Sequence, residues 1–119
     1  MKNMIIKCFD KPDEVRTFTK GKFELVNVGG MQLGWASYEP GWILKEHVGK
    51  SCGSEMCEVE HVGIVVNGQA AVFMRDGKEV VLKSGDLFYV PPGHDSWVVG
   101  DESYTSLHLL GADQYAAKK

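Results

Sequence analysis

The sequence predicts an all-β protein whose strands form an antiparallel sandwich or barrel. From Phe23 onward the apolar residues occur in short runs rich in β-branched and aromatic side chains, a pattern typical of strands. Glycine-containing pairs separate several runs, and Asn67-Gly68 and Asp76-Gly77 favour hairpins, because type I′ turns need positive φ at both central residues. About eight strands at this spacing indicate a sandwich or a barrel.

One short helix is predicted ahead of the strands. Asp10 is placed to cap a helix over 10–18, Pro12 suits its first turn, and acidic residues at 13 and 14 favour its positive end. The predicted strands follow at 23–28, 31–38, 62–66, 70–74, 79–82, 87–90, 97–99 and 105–110. We expect a single domain over 1–119, with an N-terminal arm and the helix in 1–22, the barrel in 23–111 and a C-terminal tail in 112–119.

Composition and charge exclude several classes of protein. A chain of 119 residues buries roughly two-thirds of its surface on folding, which supports a core without disulfides. The net charge of −3 provides no basic field for nucleic acid or an anionic membrane, and no apolar run is long enough to span a bilayer. The odd number of cysteines, three, and the lack of an apolar leader favour a reducing, cytoplasmic location.

The segment 85–94 carries the clearest local signal, a short strand that ends at Pro91-Pro92-Gly93 and leads into His94. Prolines cannot donate ladder hydrogen bonds, so the strand must stop there. The glycine permits a tight reversal of the chain. His94 is therefore predicted at a stiff corner at the mouth of the barrel, where binding sites tend to lie.

Glycines frame this turn and two further histidines at regular distances. The framed pairs are Gly41 and His47 with five residues between them, His61 and Gly68 with six, and Gly85 and Pro91 with five. In these motifs the chain resembles the cupins, a superfamily of small single-domain β-barrels. The resemblance covers about half of the chain. It implies a double-stranded β-helix, the jelly roll of the cupin-type β-barrel.

The resemblance also implies a metal site, although several ligand positions differ here. The family's second histidine falls at Gly49, its glutamate at His61 and its last histidine at Ser96. His47 keeps the family's ligand type, and His61 replaces one competent ligand by another. We expect His47, His61 and, near the rim, His94 to hold one divalent transition metal ion, with Zn, Fe, Ni, Mn and Cu all compatible.

Two further side chains are candidates for ligand binding. Cys57 shares strand parity with His61, and Ser96 shares it with His94, so both are predicted to line the cavity. His94 is also the candidate catalytic residue, as a proton-transfer group.

Alternative roles stay open for several of these residues. His47, Cys52, Cys57 and His61 would make a two-Cys, two-His zinc site, but their spacing matches no standard zinc finger. His108, in the last predicted strand, is either a hydrogen-bonded core residue or a functional one.

Three functions are compatible with these patterns. The first is a metal-dependent cupin that binds a small molecule, with oxygenase or isomerase chemistry among those the resemblance allows. The second is a metal-free module that binds or senses a small ligand in an apolar cavity. The third is a structural dimer with a filled barrel. Whether the protein is an enzyme stays open.

The segment 62–66 bears on the partners of the chain. Its residues are apolar or small at both strand parities, so both faces of this strand must be covered. We therefore expect a homodimer that binds a small molecule, with neither nucleic acid nor a membrane as a partner.

Overall fold

The computed structural model describes residues 3–44 and 59–110. In this part of the chain the backbone forms nine strands: β1 (Glu14–Phe18), β2 (Gly21–Val28), β3 (Met31–Tyr38), β4 (His61–Asn67), β5 (Gln69–Met74), β6 (Glu79–Lys83), β7 (Leu87–Val90), β8 (His94–Val99) and β9 (Tyr104–Leu110). The all-β prediction is confirmed.

The strands form two antiparallel sheets that face each other. The larger sheet has the order β1-β2-β3-β9-β4-β7 and the smaller one β6-β5-β8. The buried core draws on both, with Phe23 and Val65 from the larger sheet and Ala70 and Val98 from the smaller one. This arrangement agrees with the predicted jelly roll.

The predicted helix over Asp10–Phe18 is wrong. Residues 8–11 form a turn in which the Lys11 amide donates to the Cys8 carbonyl (3.1 Å), and Glu14–Phe18 is β1, paired with β2. Instead of a helix end, the Asp13 carboxylate accepts the Asn27 amide at 2.7 Å. Two β-branched residues and a phenylalanine in 15–18 gain more from pairing with β2 than from a helical turn.

The two predicted hairpins have different outcomes. At Asp76-Gly77 the hairpin is confirmed, because β5 pairs with β6, but only Gly77 has positive φ (92°), which fits a type I turn followed by a left-handed glycine. At Asn67-Gly68 the hairpin is wrong: β4 and β5 belong to different sheets. Gly68 (φ 79°) is the corner at which the chain crosses from one sheet to the other.

Within residues 3–44 and 59–110, no helix has the length and apolar character required to cross a membrane.

Candidate functional site

Three of the chain's four histidines come together between the two sheets. His61 begins β4, His94 begins β8 and His108 lies on β9, and each is at most 6% exposed. The ring centre of His61 is 5.3 Å from that of His94 and 5.1 Å from that of His108. Because β8 belongs to the smaller sheet, this histidine cluster joins both sheets.

The turn before β8 positions His94. Gly93 has φ 89°, a left-handed conformation that favours glycine, and β8 begins immediately after it, three residues earlier than the sequence predicts. The Nδ1 atom of His94 lies 2.9 Å from the Pro91 carbonyl oxygen. A carbonyl only accepts, so Nδ1 carries the proton and, in the neutral ring, Nε2 carries the lone pair.

Burial keeps two of these imidazoles uncharged at neutral pH. Burial, with a contribution from His94, lowers the pKa of His108 to about 4. Burial also lowers the pKa of His61 well below its ordinary range, and the neighbouring His108 and His94 add to this effect. Each neutral ring offers one lone pair and one N–H, which suits it to a metal ion or to a polar ligand.

A cavity of about 40 Å³ lies beside the cluster. Such a space holds about two or three water molecules, or an ion with a small ligand. Among the described residues its polar lining consists of the three histidines with Tyr38, Trp42, Ser96, Tyr104 and Ser106, and its apolar lining of Leu44, Val72, Leu82, Phe88 and Val90. The site is thus a small chamber with a largely apolar lining and three histidines in its wall.

Trp42 lines this chamber and carries a buried polar atom. Its ring stacks on Tyr38 with 3.9 Å between the ring centres, and its side chain is 1% exposed. Its buried Nε1 has no hydrogen-bond partner among residues 3–44 and 59–110. An indole N–H only donates, so an acceptor in the cavity would satisfy it.

The sequence-predicted site residues have different outcomes. His61 and His94 are brought together at the cavity, and Ser96 lines it as well. His47 and Cys57 lie outside the described residues, so their predicted roles, and the two-Cys, two-His alternative, stay predictions. Among the residues that are described, no group of three or more His, Cys, Asp or Glu side chains is arranged to hold a metal ion.

His108 is the site residue that the sequence reasoning left undecided. Its inward orientation follows from strand parity with Tyr104 and Ser106, which are also buried. Its closeness to His61 follows from the pairing of His108 with Gly63, two residues along β4. That pairing joins distant parts of the chain, so no local pattern reveals it.

Several solved structures are similar to this chain. A protein of unknown function from Rhizobium leguminosarum is 21% identical, with 92% of this chain and 97% of that chain covered and a TM-score of 0.64. A cupin-like protein from Thermotoga maritima is 20% identical, with 80% and 71% covered and a TM-score of 0.55. The oxalate decarboxylase of Bacillus subtilis, which has Mn(II) centres, is 22% identical, with 81% of this chain but 27% of that chain covered and a TM-score of 0.55.

At these identities the likeness shows the fold alone. No curated protein sequence matches the chain. The sequence model of the cupin domain matches residues 42–108, which is more than half of the chain and includes every described histidine. The glycine-framed motifs, the two-sheet barrel and this match agree, and the chain belongs to the cupin domain family.

Proposed function

We propose that this cupin binds a divalent transition metal ion in its barrel cavity and that a small molecule binds beside the ion. The observation that carries the proposal is the meeting of His61 and His94, from opposite sheets, with ring centres 5.3 Å apart at the cavity wall. Two imidazoles on one tetrahedral ion, with metal–nitrogen distances of about 2 Å, have their ring centres about 5 Å apart.

The hydrogen bonding and charge of these two rings support the same role. A histidine ligand commonly donates its other ring N–H to a backbone carbonyl, and His94 does so to Pro91, which leaves Nε2 as the ligand atom. A metal ion needs the neutral form of the imidazole. The lowered pKa of His61, caused by its burial, keeps that ring neutral and ready to bind at neutral pH.

The ligand set needs at least one donor beyond these two. Residues 3–44 and 59–110 contain no group of three His, Cys, Asp or Glu side chains arranged to hold a metal ion. We therefore assign the further ligand to residues 45–58. His47, which keeps the ligand type of its family motif, is the residue that we propose. Nitrogen donors of this kind suit Zn, Fe, Ni and Cu, and the family includes Mn(II) proteins such as the B. subtilis decarboxylase.

Other residues of the chamber would hold and shield the small molecule. When bound, a divalent ion polarises an oxygen of the ligand or activates a water molecule. Ser96 and Trp42 line the cavity, and the hydroxyl of the first and the indole N–H of the second suit an oxygen-rich ligand. Phe88 and Val90 exclude bulk water from the bound molecule.

Metal content tests this proposal. The protein is purified without a histidine tag and dialysed against a weak chelator, and its metal is measured by mass spectrometry. We expect about one ion per chain in the wild type and a loss of occupancy in His47→Ala, His61→Asn and His94→Asn. Glu79→Gln, which removes an exposed carboxylate on β6, serves as the control and retains the ion. A metal-free wild type, or unchanged occupancy in the histidine variants, contradicts the proposal.

A metal-free binding module is the second candidate function. The Trp42 Nε1 atom, buried and without a hydrogen-bond partner in the described part of the chain, favours it, because a ligand oxygen would satisfy this donor without a metal ion. Acetate added in the presence of EDTA would then raise the melting temperature of the wild type. Trp42→Phe removes the donor and keeps a ring on Tyr38, and we expect it to abolish the shift. No shift in the wild type argues against acetate-like ligands.

A further inference from the structure

His108 occupies a site on β9 that is cleared of side chains on both neighbouring strands. Its cross-strand neighbours are Gly34 on β3 and Gly63 on β4. A Cβ atom at Gly34 would overlap the ring of Phe23, and one at Gly63 would lie 2.8 Å from the ring of Phe88. The positions on either side of His108 are therefore covered by aromatic rings instead of by side chains of their own.

Three aromatic rings pack against the imidazole of His108, those of Phe23, Phe88 and His61. Its ring centre lies 5.2 Å from that of Phe23, 5.7 Å from that of Phe88 and 5.1 Å from that of His61, with interplanar angles of 84°, 73° and 86°. All three contacts have the edge-to-face geometry that aromatic rings favour. Glycine inside a strand weakens the strand, and the rings of Phe23 and Phe88 that cover Gly34 and Gly63 offset this loss.

A buried hydrogen bond restrains His108 further. Its Nε2 lies 3.0 Å from the hydroxyl of Ser106, a residue with no exposed surface. Because a serine hydroxyl can donate to or accept from an imidazole nitrogen, this contact holds the His108 ring in either tautomer.

We propose that His108 is a positioning residue of the cavity site, which holds the ring of His61 at the orientation that faces His94. The outer torsion of a histidine side chain is broad and weakly restrained, so the rings packed around His61 contribute to its orientation. The edge-to-face contact at 86° supplies this restraint, and Ser106 holds His108 in turn. The metal-binding consequence rests on the proposed function, whereas the control of the His61 ring does not.

The experiment uses two variants and a matched control. Ser106→Ala removes the hydroxyl that anchors His108 while the imidazole stays, and His108→Phe keeps a ring but removes both nitrogens. Ser37→Ala is the control. Ser37 on β3 pairs with Thr105 on β9, next to the position where β3 pairs with Ser106, so the control also removes one serine hydroxyl from this part of the sheet. Imidazole nitrogen chemical shifts are recorded on the metal-free proteins, and Co²⁺ is then titrated with the visible absorption spectrum as the readout.

We expect Ser106→Ala and His108→Phe to change the nitrogen shifts of His61, to weaken Co²⁺ binding at least about 10-fold and to alter the Co²⁺ spectrum. We expect Ser37→Ala to match the wild type in all three. If the wild type binds Co²⁺ and Ser106→Ala has the same His61 shifts, affinity and spectrum, the positioning role is wrong and metal binding stands. If the wild type binds no Co²⁺, the proposed function fails, and the His61 shifts of the metal-free variants alone decide the positioning role.

Discussion

Residues 62–66 of β4 are apolar or small on both faces of the strand, yet the two faces differ in burial. His61, Gly63 and Val65 point inward and are buried, whereas the alternate residues are half-buried or exposed, and Val66 is 42% exposed. Strands on a sheet with one wet face usually point their polar residues outward. In β4 the buried polar residue, His61, points inward, toward the proposed site.

The outer face of β4 is part of an apolar surface that extends across the larger sheet. The strand register aligns Trp35, Leu107, Ile64 and Leu87 in one row over four strands. Phe9, from the segment before β1, packs on Trp35 with ring centres 5.3 Å apart. At the other end of the row Leu87 is 78% exposed. In the described part of the chain the inner face is therefore closed by the two sheets, and the outer face is covered only in part.

Gly63→Ala, a substitution on the inner face of β4, is expected to reduce the free energy of unfolding more than the other variants below. At this position a Cβ atom meets the Leu107 carbonyl and the ring of Phe88, so Gly63→Ala forces the inner face apart. We expect a loss of about 3 kcal/mol in the free energy of unfolding in urea. Gly77→Asn is the control, because no atom lies within 4 Å there and asparagine tolerates a left-handed turn. Equal losses in the two variants would refute the tight inner packing.

The buried histidines make the stability of the inner face dependent on pH. Since burial lowers the pKa of His108 to about 4, the unfolded chain takes up a proton first as the pH falls below about 6.5. The stability from the neutral ring is present above pH 6.5 and is lost as the pH falls toward 4. We expect His108 to account for a loss of about 2 kcal/mol between pH 7.5 and 5, measured by urea unfolding.

A surface carboxylate separates this effect from general acid sensitivity. The Asn27 amide first, and then Lys7, lower the pKa of Asp13 from 3.8, so stability from Asp13 is present above that value and lost only below it. His108→Phe should remove the share of the slope between pH 7.5 and 5 that His108 contributes and leave the share of His61, whose pKa burial also lowers. Asp13→Asn should leave that range unchanged. If the free energy of unfolding of the wild type does not change in this pH range, protonation of the histidine cluster does not destabilise the fold, and the prediction is wrong.

Much of this fold is encoded locally, and the differences between prediction and structure come from pairing between distant strands. The Pro91-Pro92-Gly93 turn and the Asp76-Gly77 hairpin follow from backbone preferences of a few residues. Asn67-Gly68 has the same local signal, but β4 pairs with β9 and β7 instead of β5. The expected helix over 10–18 failed for a similar reason, because β2 provides an edge with which 14–18 pairs.

The residues of the candidate site also differ in whether local sequence motifs predict them. His61 and His94 are identified by glycines and prolines near them in sequence, so the motifs predict them. His108 meets Gly63 only through the register of β9 against β4, which shifts by a residue between Val62 and Gly63. A one-residue slip would turn the opposing side chains to the other face, and nothing in the sequence of either strand specifies that shift.

Two neighbouring valines of β4 allow the same substitution to be made on each face of the strand. Val65 is 1% exposed and Val66 42% exposed, and they differ only in the face of β4 on which they lie. Val65→Ala should cost about 1.5 kcal/mol, from two lost methyl groups, whereas Val66→Ala should cost less than about 0.5 kcal/mol in the monomer. Chemical denaturation of both variants provides the measurement. Similar losses would show that the outer face is covered as tightly as the inner one.

The smallest effect on the folded chain, with a clear effect on assembly, is expected at Leu87. We propose that a second copy of the chain covers the exposed end of the outer row, so light scattering should give twice the 13.2 kDa of one chain. Leu87→Ser should halve this mass and change monomer stability by less than about 0.5 kcal/mol. Val81→Ser, on the edge strand β6 of the other sheet, should leave the mass unchanged. A monomeric wild type at micromolar concentrations would show that this apolar row tolerates water, and the inner face alone would then account for the stability of the barrel.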